Sequence, residues 1–354
     1  MIYTAPRQNM HVSELDYELP PELIAQHPVE PRDASRLLVC DRATQAHAHR
    51  SFYELPELLR SGDLLVANDT SVINARLRGH KPSGGRVEVL LLRKLDDVTW
   101  EALVGGRNVA RIAFDPPSVP GEAGAKQLHA EVVAKAGESA FVVRFSEPVE
   151  PYLDALGEMP LPPYIHERLS DPSRYQTVYA RVAGSAAAPT AGLHFTPQLI
   201  ERIQAMGVGV TFITLHIGLD TFKPITEETV EAHKIHTEWC RLTPAAADAI
   251  NQARARGGRV IAVGTTAARV LETAGAGQGG TVIQPYSGFT SLYITPGYRW
   301  RVVDAMITNF HLPRSTLLAM IGAFMGMDFM RRTYALAVQE RYRFYSFGDA
   351  MLIV

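Results

Sequence analysis

The chain has 354 residues, of which 46% are apolar, and a formal net charge of −2. That length suits one large domain or two, and the near-neutral balance excludes a globally basic nucleic-acid binder while leaving room for a local basic patch. The two isolated cysteines, Cys40 and Cys240, point to a reducing compartment without a disulfide framework. The N-terminus lacks a signal-peptide core, and the longest apolar run, Leu317 to Met330, is interrupted and too short to span a bilayer. A cytoplasmic protein without a membrane segment is expected.

Residues 13 to 67 read as the opening of an α/β domain. A short helix is expected around Leu19 to Ala25, a strand at Leu37 to Cys40, a short helix at Leu55 to Leu59 and a strand from Asp63 to Ala67. Asn68-Asp69-Thr70 sits at the end of that last strand, where Asn and Asp also favour a plain turn. From about Val72 to Phe145 helical periodicity disappears. Short alternating runs at 86–90, 99–104, 127–133 and 141–145 are separated by Gly- and Pro-rich turns, the pattern of a small antiparallel barrel. The expected organisation is a large mixed-sheet α/β domain, residues 1–71 and 148–354, with an inserted small antiparallel β-barrel domain at 72–147.

The segment Ala188 to Pro224 organises the rest. Thr196-Pro197 is a cap followed by proline at the first helical position, and Gly207 ends the helix. Val208 to Ile217 is apolar and β-branched, suited to a buried strand. Thr190, Gly192 and His194 precede the helix; His216 and Asp220 follow the strand. Both groups should reach the carboxyl edge of the sheet, where open α/β folds hold their ligands.

Next comes an acidic helix start at Thr226 to Val230. His233 and His236, three apart, would share a face if that stretch were helical. Thr243-Pro244 starts a helix closed by Gly257-Gly258. Arg259 to Val263 is a strand, and Gly264-Thr265-Thr266 opens the next helix, offering free N–H groups to a carboxylate or phosphate. Gly275 to Gly280 reads as a loop. A strand at Val302 to Thr308 ends in Asn309 and His311, with a long helix behind. The tail from Arg331 reads as an aromatic and basic helix and a terminal strand; it offers RNA four arginines, Arg331, Arg332, Arg341 and Arg343, and stacking rings, or else a solvated helix face.

Four strand ends thus carry polar groups toward one edge. Histidine suits proton transfer near neutral pH. The same histidines, His194, His216, His233 and His236, would serve a metal-dependent hydrolase, but no H-E-x-x-H pattern or cysteine pair supports a metal, and none is expected. Dinucleotide and P-loop glycine motifs do not occur in the places those folds require. A non-catalytic RNA-binding module is the remaining alternative.

Taken together, Asn68-Asp69-Thr70, Gly84 to Leu90, Pro189 to Thr196, Leu215 to Gly218, His233 to His236, Val263 to Thr266, Thr308 to Pro313 and Tyr342 to Met351 resemble the S-adenosylmethionine:tRNA ribosyltransferase-isomerase family, nearly end to end and in the family's order. Departures occur at Ser71, Asn74, Asp220 and Ser287 to Tyr293, and Asp220 receives no family role. The resemblance implies a step of queuosine biosynthesis: the ribosyl moiety of S-adenosylmethionine moves onto 7-aminomethyl-7-deazaguanine at the wobble position of tRNA and isomerises to epoxyqueuosine, releasing adenine and methionine. S-adenosylmethionine is then a consumed substrate and no cofactor is expected. His194 and His216 are the expected proton-transfer groups, with His233, His236 and His311 as alternates. Asp69 is expected beside the sulfonium. Thr190, Gly192, Gly264, Thr265, Thr266 and Asn309 are expected to bind S-adenosylmethionine, and a monomer is expected.

Overall fold

The computed structural model describes residues 9–115, 127–136, 140–167, 169, 171–218, 224–276 and 282–354. Asp220 lies outside the described residues, as does most of the expected 275–280 loop. Contacts divide the chain into two units: Met1–Thr70, Pro163–Val182 and Pro189–Val354 form one; Ser71–Pro162 and Ala183–Ala188 form the other.

The first unit is built on a nine-stranded mixed sheet. Its centre is four parallel strands in the order Gly209–Leu215, Leu64–Asn68, Val260–Val263 and Ala305–Asn309. Every residue of the last three is buried, which is why they read as continuous apolar runs without alternation. Beyond Ala305–Asn309 come Ala350–Ile353, antiparallel to it, then Arg36–Asp41 and Ala46–Ser51. On the other side Gly209–Leu215 pairs with Glu238–Leu242, and that with Tyr286–Thr290. The chain leaves Leu64–Asn68 to return on one side of it, then crosses to Val260–Val263 on the other. This reversal is the topological switch point at which open α/β sheets form a crevice.

Two helices begin where sequence placed them, while the helix expected around Leu19 to Ala25 is only a 3-10 turn, Pro21–Leu23. Thr196 Oγ1 accepts from Leu199 N at 3.1 Å and opens Pro197–Ala205; Thr243 Oγ1 does the same for Pro244–Ala255. The long helix expected after Pro313 is two, Thr316–Met325 and Met327–Gln339, divided at Gly326, whose φ of +88° is outside helical space. The acidic helix expected at Thr226 does not form; a short 3-10 turn, Val230–Ala232, stands there instead. The backbone of this stretch pairs with the N-terminal segment, Val12 N donating to Glu228 O and Val230 N to Met10 O. His233 and His236 therefore lie on extended chain and share no helical face.

The second unit is a closed antiparallel barrel of six strands. Arg76–His80 pairs with Arg86–Lys94, and the order continues through Thr99–Gly105, Ala140–Phe145, His129–Ala136 and Arg111–Phe114. The circle closes where Gly79 meets Phe114. A Cβ at Gly79 would lie 2.7 Å from Ala113 O, so closure there requires glycine. Leu77, Val89, Ile112, Phe114 and Val143 fill the interior.

Candidate active site

At the carboxyl edge of the four parallel strands, side chains tie one strand end to the next. Asn68 is fully buried. Its Oδ1 accepts from Leu215 N and Thr70 N, and its Nδ2 donates to Leu215 O at 3.0 Å and Thr266 Oγ1 at 3.3 Å. One carboxamide thus joins two parallel strands to the start of helix Thr265–Ala276. The turn propensity of Asn68-Asp69-Thr70 is spent on this clamp.

His216 follows directly. Its Nδ1 lies 2.8 Å from Thr70 Oγ1, and its ring stacks on Trp239 at 5.2 Å. Among the described residues its Nε2 has no partner. Burial holds the imidazole below the usual histidine range, opposed by the Asp69 charge, so the neutral form dominates near pH 7. Asp69 is itself occupied. Its Oδ1 accepts from Thr214 Oγ1 at 2.7 Å, and its Oδ2 takes both Nε and Nη2 of Arg181.

An open cleft lies at the helix start, with Thr265, Thr266, His236, Glu238, Arg269 and Tyr293 among its lining and an apolar side of Leu292, Ile294, Leu317 and Met320. Glu238 and Arg269 are both buried and meet at 2.6 Å. Glu238 also faces His236 Nε2 at 3.1 Å and accepts from Gly218 N at 2.9 Å. Arg269 donates to the carbonyls of His236, Leu292 and Thr290. Burying two charges is tolerable only with such complete pairing. Sequence reading passed over this pair; the signal was an arginine inside the apolar run Ala267 to Leu271. His233 packs edge-on against Tyr293 with ring centroids 6.0 Å apart, its Nδ1 2.9 Å from Glu227 Oε2.

His194 occupies a different position. It ends a buried 3-10 turn, Thr190–His194, stacked on Phe52 at 5.0 Å. Asn309 Nδ2 donates both to His194 Nε2 at 3.2 Å and to Tyr345 O at 3.0 Å. A carbonyl only accepts, so the amide nitrogen is oriented toward both, and Nε2 is the unprotonated nitrogen. Nδ1–H then donates to Ser35 Oγ at 2.7 Å. Burial and the Arg343 charge push this imidazole down to about 3. His311 is also sealed, with Nε2 2.8 Å from Thr308 Oγ1, and burial pushes it down to about 3.

The structure therefore gathers Thr265, Thr266 and His236 along one cleft, whereas His216 is not among the cleft's lining and connects to Thr266 only through Thr70 and Asn68. Gly264, at φ +91°, brings this group against the Thr190–His194 turn: a Cβ there would lie 3.5 Å from Ala191 Cβ. His194 and Asn309 form a second, adjoining group, and His311 lies sealed behind Asn309. Of the expected RNA contacts, Arg331, Arg332 and Arg341 are exposed, Arg331 paired with Glu14 and Asp328. Arg343 is half-buried and donates to His27 O and Phe347 O. The tail does not present a row of rings: Tyr334, Tyr342 and Phe344 are buried and pack around Phe310. Apolar burial outweighs their use as stacking platforms. Among the described residues no three of His, Cys, Asp and Glu gather as a metal set, and no helix is long and apolar enough to cross a membrane.

A family model described as Queuosine biosynthesis protein matches residues 12–353. A relative named S-adenosylmethionine:tRNA ribosyltransferase-isomerase, from Moorella thermoacetica, is 52% identical over 347 residues, covering 98% of this chain and 100% of that protein. One of the same name from Symbiobacterium thermophilum is 53% identical over 351 residues, with the same coverage. The crystal structure of S-adenosylmethionine tRNA ribosyltransferase from Thermotoga maritima matches with a TM-score of 0.56 at 38% identity, covering 97% of this chain and 100% of that one.

Proposed function

The chain belongs to the queuosine biosynthesis protein family, and from that premise we propose that the cleft at its carboxyl edge is where the ribosyl group of S-adenosylmethionine is released for transfer. The enzyme moves that moiety onto 7-aminomethyl-7-deazaguanine at the wobble position of tRNA and isomerises it, giving epoxyqueuosine-tRNA, adenine and methionine. The observation that carries the assignment of the cleft is the meeting of His236, Thr266 and the Glu238–Arg269 pair at the switch point of the sheet.

The chemistry distributes naturally over these groups. The C5′ hydrogens beside the sulfonium are acidic, and a neutral imidazole with an open nitrogen can remove one; we assign this to His216 Nε2. His236, backed by the Glu238 carboxylate, is placed to return a proton to departing adenine. The Tyr293 ring offers an aromatic face to the sulfonium. The N–H groups of Gly264, Thr265 and Thr266 suit the methionine carboxylate. Asp69 acts by holding Arg181 and Thr214, and His194 by holding Asn309 and the Thr190–Gly192 turn. His233, edge-on to Tyr293, and His311, buried against Thr308, are alternates. Exposed Arg331, Arg332 and Arg341 are proposed RNA contacts. The working form is a cytoplasmic monomer, with S-adenosylmethionine as substrate and no further cofactor.

The test is incubation with S-adenosylmethionine and tRNA bearing 7-aminomethyl-7-deazaguanine. Adenine, methionine and a mass gain on the tRNA are expected together. RNA binding with S-adenosylmethionine left intact would overturn the reading.

A further inference from the structure

A second, shallow cleft opens beside His194 and shares no lining residue with the one assigned to S-adenosylmethionine. Its lining joins three sequence stretches to which no ligand has been given: Val29 and Arg32, Arg174, and the turn Ser346-Phe347-Gly348. Among the described residues its charged lining is two guanidinium groups and no carboxylate.

Both guanidinium groups are held in place. Arg32 Nη1 donates to Gln176 O at 2.7 Å and Nη2 to Ser173 O at 3.2 Å. Arg174 Nη2 donates to Val29 O at 2.9 Å, and Nη1 pairs with Glu30, an exposed carboxylate. The Arg174 Nε is buried and, among the described residues, has no acceptor. A third guanidinium, Arg343, holds the Phe347 carbonyl behind the turn. The turn is rigid. Tyr345 has φ +69°, Gly348 N donates to Tyr345 O at 3.0 Å, and the Asp349 carboxylate accepts from Arg343 N and Arg36 N. Asp171 lies near Arg32 and Asp349 near Arg343, both outside the cleft lining. The positive field reaches His194, whose imidazolium Arg343 and Arg32 both disfavour.

From this geometry we infer that the Arg32–Arg174 cleft binds a phosphodiester of the tRNA anticodon loop. Planar guanidinium groups fixed by carbonyls are pre-organised for phosphate oxygens, and single-stranded loops expose their backbone to such grooves. The inference rests on the reading that tRNA is the substrate. The Thr190–His194 turn lends Leu193 and His194 to this cleft and packs Ala191 near Gly264, the residue before Thr265 and Thr266 of the first, so a phosphate anchored here would set the wobble nucleotide toward the first cleft.

The experiment measures binding of a synthetic anticodon stem-loop to the full chain across a salt series, with S-adenosylmethionine binding measured in parallel. Arg174→Gln is expected to weaken stem-loop binding about fivefold and to lower the salt slope by about 0.7, the value for one lost phosphate contact on a single strand. Arg32→Lys, which keeps the charge, is expected to retain most of that slope. S-adenosylmethionine affinity is expected to stay unchanged in both. Unchanged RNA binding and slope in folded Arg174→Gln and Arg32→Gln proteins would overturn the inference, as would a loss confined to S-adenosylmethionine, which would make the cleft a carboxylate site. Inorganic phosphate competing equally with the wild type and both variants would also overturn it. Failure of the wild type to release adenine would instead overturn the assigned reaction, leaving the stem-loop result to be read by itself.

Discussion

His216 and His194 show how burial divides two histidines that look alike in sequence. His216 keeps one nitrogen without a partner among the described residues, whereas His194 has both committed. His216→Ala is expected to slow adenine release about 100-fold or more while the protein stays folded, the usual scale for losing a general base; near wild-type turnover would assign the base elsewhere. The folded value for His216 lies below its ordinary value. The neutral base therefore persists as pH falls, and the acid limb of kcat/KM is expected below pH 6.5. Stability follows the same sign. His194 and His311 sit near 3 when folded and near 6.5 when unfolded. Between those values the unfolded chain binds more protons, so stability is full above pH 6.5 and falls with acidification. Each histidine is expected to remove about 2 kcal/mol between pH 6.5 and 5. Urea denaturation at the two pH values checks this, and a flat dependence would mean that these rings protonate in place.

Individual elements rest on single polar or glycine residues. Glu272, fully buried on helix Thr265–Ala276, accepts from the N–H groups of Arg301, Val302 and Val303 and from Tyr298 OH. Glu272→Gln removes the charge from these bonds and is expected to cost about 1–3 kcal/mol in urea denaturation. Gly192 leaves no room for a side chain: an added Cβ would lie 2.1 Å from Tyr179 Oη and 2.8 Å from Thr177 Cγ2. Gly192→Ala is expected to lower the melting temperature and turnover together, since the displaced turn carries His194; wild-type turnover would detach the turn from the site. Apolar runs and Thr-Pro caps made the central strands and their helices legible in sequence, because burial and capping leave local signatures. Ala46–Ser51 was missed, since AHAHRS is an exposed edge strand held by pairing with Arg36–Asp41. Barrel strands Arg76–His80 and Arg111–Phe114 were missed because closure depends on partners distant in sequence. The four strand-end motifs were found for the same reason as the strands, but Arg269 and Glu238 were not. Their meaning lies in a contact between residues 31 positions apart.

For the whole molecule, light scattering is expected to give the mass of one chain, 38.9 kDa; twice that value would refute the proposed monomer. The larger sheet also has a late member. Ala350–Ile353 lies between Ala305–Asn309 and Arg36–Asp41, in parallel register with the latter from Leu37↔Ala350 to Cys40↔Ile353. Among the described residues the hairpin of residues 36–51 pairs with the sheet only through that strand. During synthesis, an early hairpin must therefore wait for roughly 300 residues before its neighbour exists. Ser35, which braces His194, stands at the foot of that waiting hairpin. A nascent chain without Ala350–Ile353 leaves that hairpin without its sheet neighbour, and the seating of Ser35 against His194 is then expected to be completed only as the chain's final residues emerge.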